Sequence, residues 1–352
     1  MSAFLFLALL LGPPDAATAE RARTATAALL TGDPAELVPR MTPEMLKAVG
    51  GPAGLQRFAA EVRETAGAEV ALLQEEAFRE EYLTSYYRES QFERVPKVTV
   101  NWTFAPDGRI GGAWVGPSPA PAGSPHENYR TRATLRLPFE RPTGGGGWYV
   151  SWGGRGAIRN YHVIAADQRF ATDFLLMRDG AFAKAGGARN EDHYCWNQPV
   201  LAPAAGRVVS AVADLPDNPR PAQKLPGIPA PGNHLVIDHG RGERSLLAHF
   251  RQGTLRARVG ERVQAGQVLG LCGNSGNSSQ PHVHYHLQTG GKFGEGLGLP
   301  AFFNGYVADG APVARGEPQR GQVVVPAEEP SFPRKRESRF FLRAATNPRQ
   351  KE

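Results

Sequence analysis

Three histidines occupy alternate positions in the segment His282-Val283-His284-Tyr285-His286, which follows a run rich in Gly, Asn and Ser. If this segment is a β-strand, its side chains repeat with a period of two, so the three imidazoles share one face about 6–7 Å apart. Neutral imidazole is the commonest protein ligand for zinc. The spacing therefore favours one metal ligand with a catalytic neighbour over a strand whose polar face is merely rich in histidine.

The composition is that of a globular protein. The chain has 352 residues, 41% hydrophobic and 21% charged, which leaves room for two domains. Most of the formal net charge of +6 lies in residues 333–352, where seven basic and two acidic side chains give +5. A short basic extension of this kind is usually solvated, so we expect no nucleic-acid partner. Residues 313–352 are rich in Pro, Arg and Glu, and we expect them to form a mostly disordered tail.

The first residues are typical of a secretory signal. An apolar run at 4–11 is followed by Gly12-Pro13-Pro14 and by the Ala-Thr-Ala sequence at 17–19. This order predicts a signal peptide over 1–19, cleaved after Ala19, with an uncleaved helix as the alternative. No stretch approaches the ~20 apolar residues of a membrane span. We therefore expect a periplasmic or secreted protein without a transmembrane segment after cleavage.

The first half of the chain predicts a small α+β domain over 20–116. Three helical patterns, at 21–30, 42–49 and 52–66, precede two strand patterns, at 98–104 and 109–115. We expect a cone-shaped fold that resembles nuclear-transport-factor-like modules. A Pro-rich spacer over 117–128 follows, and it is the clearest domain boundary in the sequence.

The second half predicts a domain that is mainly β, over 129–312. Many short strands separated by Gly and Pro turns favour an antiparallel sandwich or hybrid barrel. The strand patterns lie at 133–139, 148–152, 200–211, 235–238, 245–249, 267–272 and 282–287.

Five sequence segments in this half resemble those of the lysostaphin-type (LytM-like) zinc metallopeptidases, bacterial enzymes that cut peptide bonds in peptidoglycan. They are Gly-Asn-His-Leu-Val-Ile-Asp-His-Gly at 232–240, Leu-Leu-Ala-His at 246–249, Val-Gly-x-x-Val-x-x-Gly-Gln at 259–267, Gly-Asn-Ser-Gly at 273–276 and Pro-His-Val-His at 281–284. Their order and spacing make the resemblance specific. It implies an antiparallel β fold and a bound Zn²⁺ that activates water for peptide hydrolysis.

The resemblance also implies roles for individual residues. His284 is expected to bind the metal, while His249 and His282 face the substrate and the attacking water as catalytic groups. His286 takes the next position on the same face, where relatives commonly have Glu or Gln. It is either a hydrogen-bonded partner that fixes the tautomer of His284 or an ordinary strand side chain.

The two remaining ligands depart from the simplest family pattern, in which His and Asp stand four residues apart. Asp173 fits the aspartate position, but Arg169 stands where the histidine would be. A branch of the family places this histidine earlier, in an Asn-Tyr-His segment, which Asn160-Tyr161-His162 matches. The expected ligands are therefore His162, Asp173 and His284, with His193 as the reserve for His162.

These expectations favour a secreted zinc endopeptidase acting on peptidoglycan peptides. The alternative is an inactive peptidase-fold module that regulates cell-wall amidases. Arg169, which stands at the position of a metal-binding histidine in the simplest family pattern, is the observation that favours this alternative. A biotinyl or lipoyl carrier is disfavoured, because no modifiable lysine lies between Lys224 and Lys292. Cys195 and Cys272 form either one disulfide or two buried thiols. The sequence does not indicate an oligomeric state.

Overall fold

The structure is a computed structural model that describes residues 16–80, 83–184 and 186–328. Residues 1–15 of the predicted signal peptide and 329–352 of the predicted tail lie outside this range. The predicted cleavage position after Ala19 falls within the first helix. Among the described helices, none combines the length and the apolar composition needed to cross a bilayer.

The chain begins with helices whose ends follow from local residue chemistry. Thr42 caps the helix that starts at Pro43, because its hydroxyl accepts a hydrogen bond from the Met45 amide at 3.1 Å. The longest described helix, predicted at 52–66, buries Leu55 and Ala59 on one face. The helices are α1 (Ala16–Leu30), a 3₁₀ helix (Pro34–Arg40), α2 (Pro43–Ala48) and α3 (Gly51–Ala66).

A four-stranded antiparallel sheet follows, in the order β1-β2-β3-β4. The alternation in β3 buries Val100, Trp102 and Phe104 in one core with the helices, and the Trp102 indole donates a hydrogen bond to Thr26. An α+β unit is therefore present, whereas its likeness to nuclear-transport-factor-like cones stays a prediction. The strands are β1 (Glu69–Arg79), β2 (Thr84–Phe92), β3 (Val98–Phe104) and β4 (Ile110–Pro117).

The rest of the described chain is mainly β and antiparallel, as the sequence predicts. Two short 3₁₀ helices, Tyr161–Ile164 and Asn190–Asp192, interrupt the connections. The strands are β5 (Gly147–Trp152), β6 (Thr172–Met177), β7 (Pro199–Leu201), β8 (Gly206–Val212), β9 (Asn233–Asp238), β10 (Arg244–Phe250), β11 (Arg262–Val263), β12 (Val268–Leu271), β13 (Val283–Gln288), β14 (Gly298–Leu299), β15 (Phe303–Ala308), β16 (Ala311–Gly316) and β17 (Val323–Pro326).

Most of these strands form one large sheet in the order β11-β8-β9-β10-β13-β6-β5-β17-β15-β16, with β14 paired to β13 and a separate β7-β12 pair. Strand β13 lies at its centre. Val283, Tyr285 and Leu287 point into the main apolar core and are at most 1% exposed. Because side chains alternate along a strand, the histidines of β13 must occupy the opposite face.

Two strand predictions in this half are wrong in detail. The segment predicted as one strand over 200–211 is two strands, β7 and β8, separated at 202–205. The segment 133–139 is not a strand, although Leu135 forms an isolated bridge with Phe303. Its alternating apolar residues, Leu135, Leu137 and Phe139, are buried all the same. The segment makes only scattered backbone hydrogen bonds, such as Arg136 to Pro203 and Leu201 to Pro138, and its alternation reflects packing in the main core.

The prediction of disorder from residue 313 onward is wrong for residues 313–328. Residues 311–316 form β16, which pairs with β15, and β17 lies between β15 and β5. Val324 of β17 is fully buried in the main core. Three successive valines at 323–325 have high β-propensity and supply apolar area for the core. The many Pro and Arg residues around them made the whole segment look disordered in sequence.

Cys195 and Cys272 form a disulfide, with their Cα atoms 6.0 Å apart. The bond joins the loop before β7 to the end of β12, and two backbone hydrogen bonds accompany it: the Asn197 amide donates to Cys272, and the Cys272 amide donates to Gln198. The same turn continues into Gly273 and Asn274. The disulfide therefore fixes the start of the Gly-Asn-Ser-Gly segment.

Replacing both cysteines by Ala should lower the free energy of unfolding by about 2–4 kcal/mol, because the cross-link closes a long loop. Denaturant unfolding of the oxidised protein and the double variant measures this difference. Reducing agent should destabilise the wild-type protein and leave the double variant unchanged. Equal stability of the oxidised protein and the double variant would contradict the expectation.

Candidate metal centre

Strand register brings distant residues together at the centre of the large sheet. The pairing of β6 with β13 places Asp173 opposite His284, and the pairing of β10 with β13 places Ala248 opposite the same histidine. A bulge in β10 turns His249, the next residue after Ala248, to the same side, and its ring centroid lies 5.8 Å from that of His284. Three segments far apart in sequence converge on one face of the sheet.

The atoms of three side chains lie close enough to hold one metal ion. His284 Nδ1 lies 2.8 Å from Asp173 Oδ1, and His162 Nε2 lies 3.6 Å from Asp173 Oδ2. All three side chains are buried, and their donor atoms lie within 4.8 Å of one another. Two imidazoles and one carboxylate form a donor set that zinc accepts in tetrahedral sites with an open fourth position.

Asn160 fixes the orientation of His162. The Asn160 amide nitrogen donates to the carbonyls of Gly154 and Ala171, so its oxygen faces the histidine. That oxygen accepts hydrogen bonds from the His162 backbone amide and from His162 Nδ1, at 3.1 and 2.9 Å. Because Nδ1 carries the proton, the lone pair of Nε2 points toward Asp173.

A row of hydrogen bonds along β13 fixes the tautomer of His284. The Gln288 amide nitrogen donates to the carbonyls of Gly290 and Lys292, which turns its oxygen toward His286 Nε2 at 2.8 Å. His286 therefore donates from Nε2 and accepts at Nδ1 from His284 Nε2, at 2.9 Å. The lone pair of His284 Nδ1 is left to face Asp173. Of the two roles that the sequence allowed for His286, the structure therefore favours the hydrogen-bonded partner of His284 over an ordinary strand side chain.

His249 lies in a bulge of β10 with a left-handed backbone, at φ 64°. A non-glycine residue pays roughly 1–2 kcal/mol for this conformation, so the surrounding structure must enforce it. Its amide donates to Pro231, and its ring Nδ1 donates to the Ser275 carbonyl at 2.7 Å. Nε2 is therefore the nitrogen that stays unprotonated in the neutral ring.

His282 lies next to His249, with ring centroids 4.6 Å apart. Its Nδ1 donates to the Gln280 carbonyl at 2.9 Å, and its Nε2 is 3.7 Å from Asp173 Oδ1. His249 and His282 thus flank the three-residue donor set without belonging to it. The structure brings together all five side chains that the sequence selected as metal-binding or catalytic.

Burial sets the charge state of this group. It raises the pKa of Asp173 to about 6 and lowers the pKa of His284 to about 4. Burial also lowers the pKa of His162 and His249 well below the ordinary value. At neutral pH the imidazoles are uncharged, with lone pairs available. The Asp173 carboxylate is then a buried anion whose described contacts are neutral rings, an environment that favours a bound cation.

A cleft of about 160 Å³ opens onto the His284 ring. Tyr161 and Ile164 stand exposed at its edge, while His249 lies deeper. Besides histidines, its lining is uncharged: Tyr161, Ile164, Ala165, Gln168, Ala230, Pro231, Ala248, Asn277 and Phe293. The histidines are thus reached across a mainly apolar surface.

Two residues considered from the sequence lie outside the donor set. His193, the reserve ligand, is buried, and its Nε2 contacts the Gly187 carbonyl at 3.2 Å. Arg169 pairs with Glu127 at 2.8 Å and donates to the Arg155 carbonyl. His162 occupies the position that the reserve would have filled, so His193 is not the third donor. Arg169 instead ties the segment before β6 to the Pro-rich spacer.

Sequence reasoning missed two of the supporting residues. Gln288 continues the period-two row of His284 and His286, and that spacing was the available signal. The role of Ser275 is carried by its backbone carbonyl, which no side-chain pattern reveals.

Residues 193–294 match the model of Peptidase family M23. This match includes His249, His282 and His284 and supports the resemblance seen in the sequence. It ends before the upstream pair, His162 and Asp173, which the structure brings to the same place.

Curated relatives are similar over short segments. Peptidoglycan DD-endopeptidase ShyA of Vibrio cholerae is 36% identical over 64 residues, which is 18% of this chain and 14% of the relative. Murein hydrolase activator EnvC of Escherichia coli is 32% identical over 97 residues, 28% of this chain and 22% of the relative. DD-carboxypeptidase/endopeptidase Mpg of Neisseria meningitidis is 33% identical over 61 residues, which is 17% of this chain and 14% of the relative. The chain thus spans less than a quarter of these relatives.

Solved structures also resemble this chain. The catalytic domain of the prophage-encoded M23 protein EnpA from Enterococcus faecalis has 20% identity and a TM-score of 0.30, covering 46% of this chain and 94% of the other. The catalytic domain of lysostaphin from Staphylococcus simulans has 21% identity and a TM-score of 0.23, and the match covers 42% of this chain and 80% of the other.

Replacing His286 by Ala should weaken zinc binding about 10- to 100-fold, because His284 then loses the acceptor that fixes its tautomer. His286→Gln keeps an acceptor and should lose less. Competition with a chelating indicator measures the dissociation constants, with His126→Ala, in the spacer, as the matched control. Equal affinity in wild type and His286→Ala would contradict the role of His286.

Acidification should destabilise the metal-free protein. The folded-state pKa of His284 is about 4 instead of 6.5, so between these values the unfolded chain binds a proton that the folded chain does not. Stability is therefore lost as the pH falls through this window. Within the metal centre, Asp173, with its pKa raised to about 6, acts in the opposite sense as one group against five. The five imidazoles of the centre whose pKa is lowered are those of His162, His249, His282, His284 and His286, and burial lowers the pKa of His193, His234 and His239 elsewhere in the domain in the same sense.

Denaturant unfolding of chelator-treated protein at pH 7.5 and pH 5 measures this effect. The difference between the two pH values should shrink in His286→Gln, which removes one of the five imidazoles. An equal difference in wild type and variant would contradict the assignment.

Proposed function

We propose that the protein is a zinc-dependent endopeptidase of the cell envelope that hydrolyses peptide bonds in peptidoglycan. The observation that carries the proposal is the convergence of His162, Asp173 and His284, each oriented with a lone pair toward a common point. The M23 match and the segments shared with endopeptidases support the same reaction class. The predicted signal sequence supports the location.

The donor set fits zinc by its chemistry, so His162 Nε2, Asp173 and His284 Nδ1 would hold the ion. When bound, zinc polarises a peptide carbonyl and lowers the pKa of water toward ~7. The Nε2 atoms of His249 and His282 flank this position as bases whose protons sit on the far ring nitrogens. They can accept the proton of the attacking water and pass one to the leaving amine.

The second candidate is an inactive module that regulates amidases, which the similarity to murein hydrolase activator EnvC favours. Such a module needs no intact donor set. Here His249, His282 and the three metal donors are all buried and oriented by specific hydrogen bonds. Keeping these four neutral imidazoles and one carboxylate desolvated is costly without a catalytic use, so we favour the enzyme.

Release of dye from labelled sacculi tests the proposal. The purified protein should release dye, a chelator should abolish the release, and added zinc should restore it. His284→Ala should lose both zinc and activity. No release by the zinc-loaded protein would contradict the enzyme and leave the regulator, whereas release unaffected by zinc removal would contradict the dependence on zinc.

His282→Ala should separate binding from chemistry. It should bind zinc with affinity close to wild type and lose about 10²- to 10⁴-fold in turnover, because a proton-transfer group is removed. His126→Ala should match wild type in both measurements. Full turnover in His282→Ala would overturn the role given to His282.

A further inference from the structure

The loop that supplies His162 is held from outside the sheet. This loop, residues 153–165, is here called the His162 loop, and it connects β5 to the segment before β6. Apart from its short 3₁₀ helix it has no regular structure of its own. Its position must therefore come from contacts with other parts of the chain.

One contact comes from the N-terminal α+β unit. Glu76, on β1, forms a two-pronged ion pair with Arg159 of the His162 loop, with Nε–Oε2 at 2.7 Å and Nη2–Oε1 at 2.8 Å. Both side chains are partly buried. Paired, parallel hydrogen bonds between a guanidinium and a carboxylate fix geometry as well as supply energy.

A second contact is built around Arg320, whose side chain is 1% exposed. Its guanidinium pairs with Glu80, the residue after β1, and donates to the Ile158 carbonyl of the His162 loop. It lies over the rings of Phe78 and Trp152, 4.1 and 3.7 Å from their centroids. One buried cation thus connects the N-terminal sheet, the His162 loop and β5.

The aromatic contacts continue to the metal centre. Trp152 packs edge-on against Tyr161 at 5.0 Å, and the Tyr161 ring lies 3.9 Å from the His162 ring. Packed rings and ion pairs therefore run without interruption from β1 to the first metal donor. The Pro-rich spacer adds a backbone bond, from the Ala122 amide to the Val163 carbonyl.

We propose that Glu76 and Arg159 are positioning residues for the metal centre, so that docking of the N-terminal unit on the His162 loop and zinc binding stabilise each other. The other two donors, Asp173 and His284, are fixed by strand pairing, whereas His162 depends on this loop. The inference rests on the proposed metal site but not on which bond is cleaved.

Glu76→Gln in the full-length chain should raise the zinc dissociation constant about 10-fold, within the usual range of coupling between two sites. The charge exchange Glu76→Arg with Arg159→Glu should restore most of the affinity that either single reversal loses. In the metal-free protein, amide hydrogen exchange over 153–165 should be faster in Glu76→Gln than in wild type, and saturating zinc should slow it in both.

Glu69→Gln provides the matched control. Glu69 lies on the same strand, β1, and pairs with Arg88 inside the N-terminal sheet, away from the His162 loop. This variant should keep wild-type zinc affinity and loop exchange. Equal weakening by Glu69→Gln and Glu76→Gln, or no weakening by Glu76→Gln with the double exchange no better than its single reversals, would overturn the inference.

The measurements separate this inference from the proposed function. Zinc affinity that depends on Glu76 in a protein that releases no dye supports the coupling and rejects the hydrolase. Dye release with zinc affinity indifferent to Glu76 rejects the coupling and keeps the hydrolase. A wild-type chain that binds no zinc overturns both.

Discussion

The buried carboxylate of Asp173 is the constraint on which the site depends. It lies at the centre of a sheet, surrounded by uncharged rings, and burial raises its pKa to about 6. Removing such an anion from water is expensive unless a cation compensates it. The neighbouring histidines are held neutral by their own burial and aimed by Asn160, Gln288 and backbone carbonyls. The hydrogen-bond network thus creates a place for positive charge that the protein itself does not fill.

Much of this could be predicted from sequence. The period-two row from His282 to His286 predicted a strand with imidazoles on one face, and the mainly antiparallel class followed from short strands between turns. What sequence spacing does not contain is register between distant strands. The pairing of Asp173 with His284 bridges 111 residues and follows from the order of the whole sheet. Only the likeness to a known family placed these two residues together beforehand.

Two misses share a physical origin. The sequence analysis predicted no strand where β1 and β2 lie, because their many Glu, Gln and Arg side chains, which pair with one another and with the second half of the chain, hide any simple alternation. Arg320 looked like part of a solvated basic tail, yet it is buried in an aromatic cage. Charges that a fold uses as connectors are hard to distinguish in sequence from charges that face water.

The position of β17 between β5 and β15 determines where this fold can be cut. A fragment limited to residues 193–294 would lose β5, β6 and β17, and with them His162, Asp173 and one side of the main core. An autonomous unit must therefore begin upstream of β5 and extend past β17. Recombinant fragments limited to residues 193–294 would expose an unpaired sheet edge, which promotes aggregation.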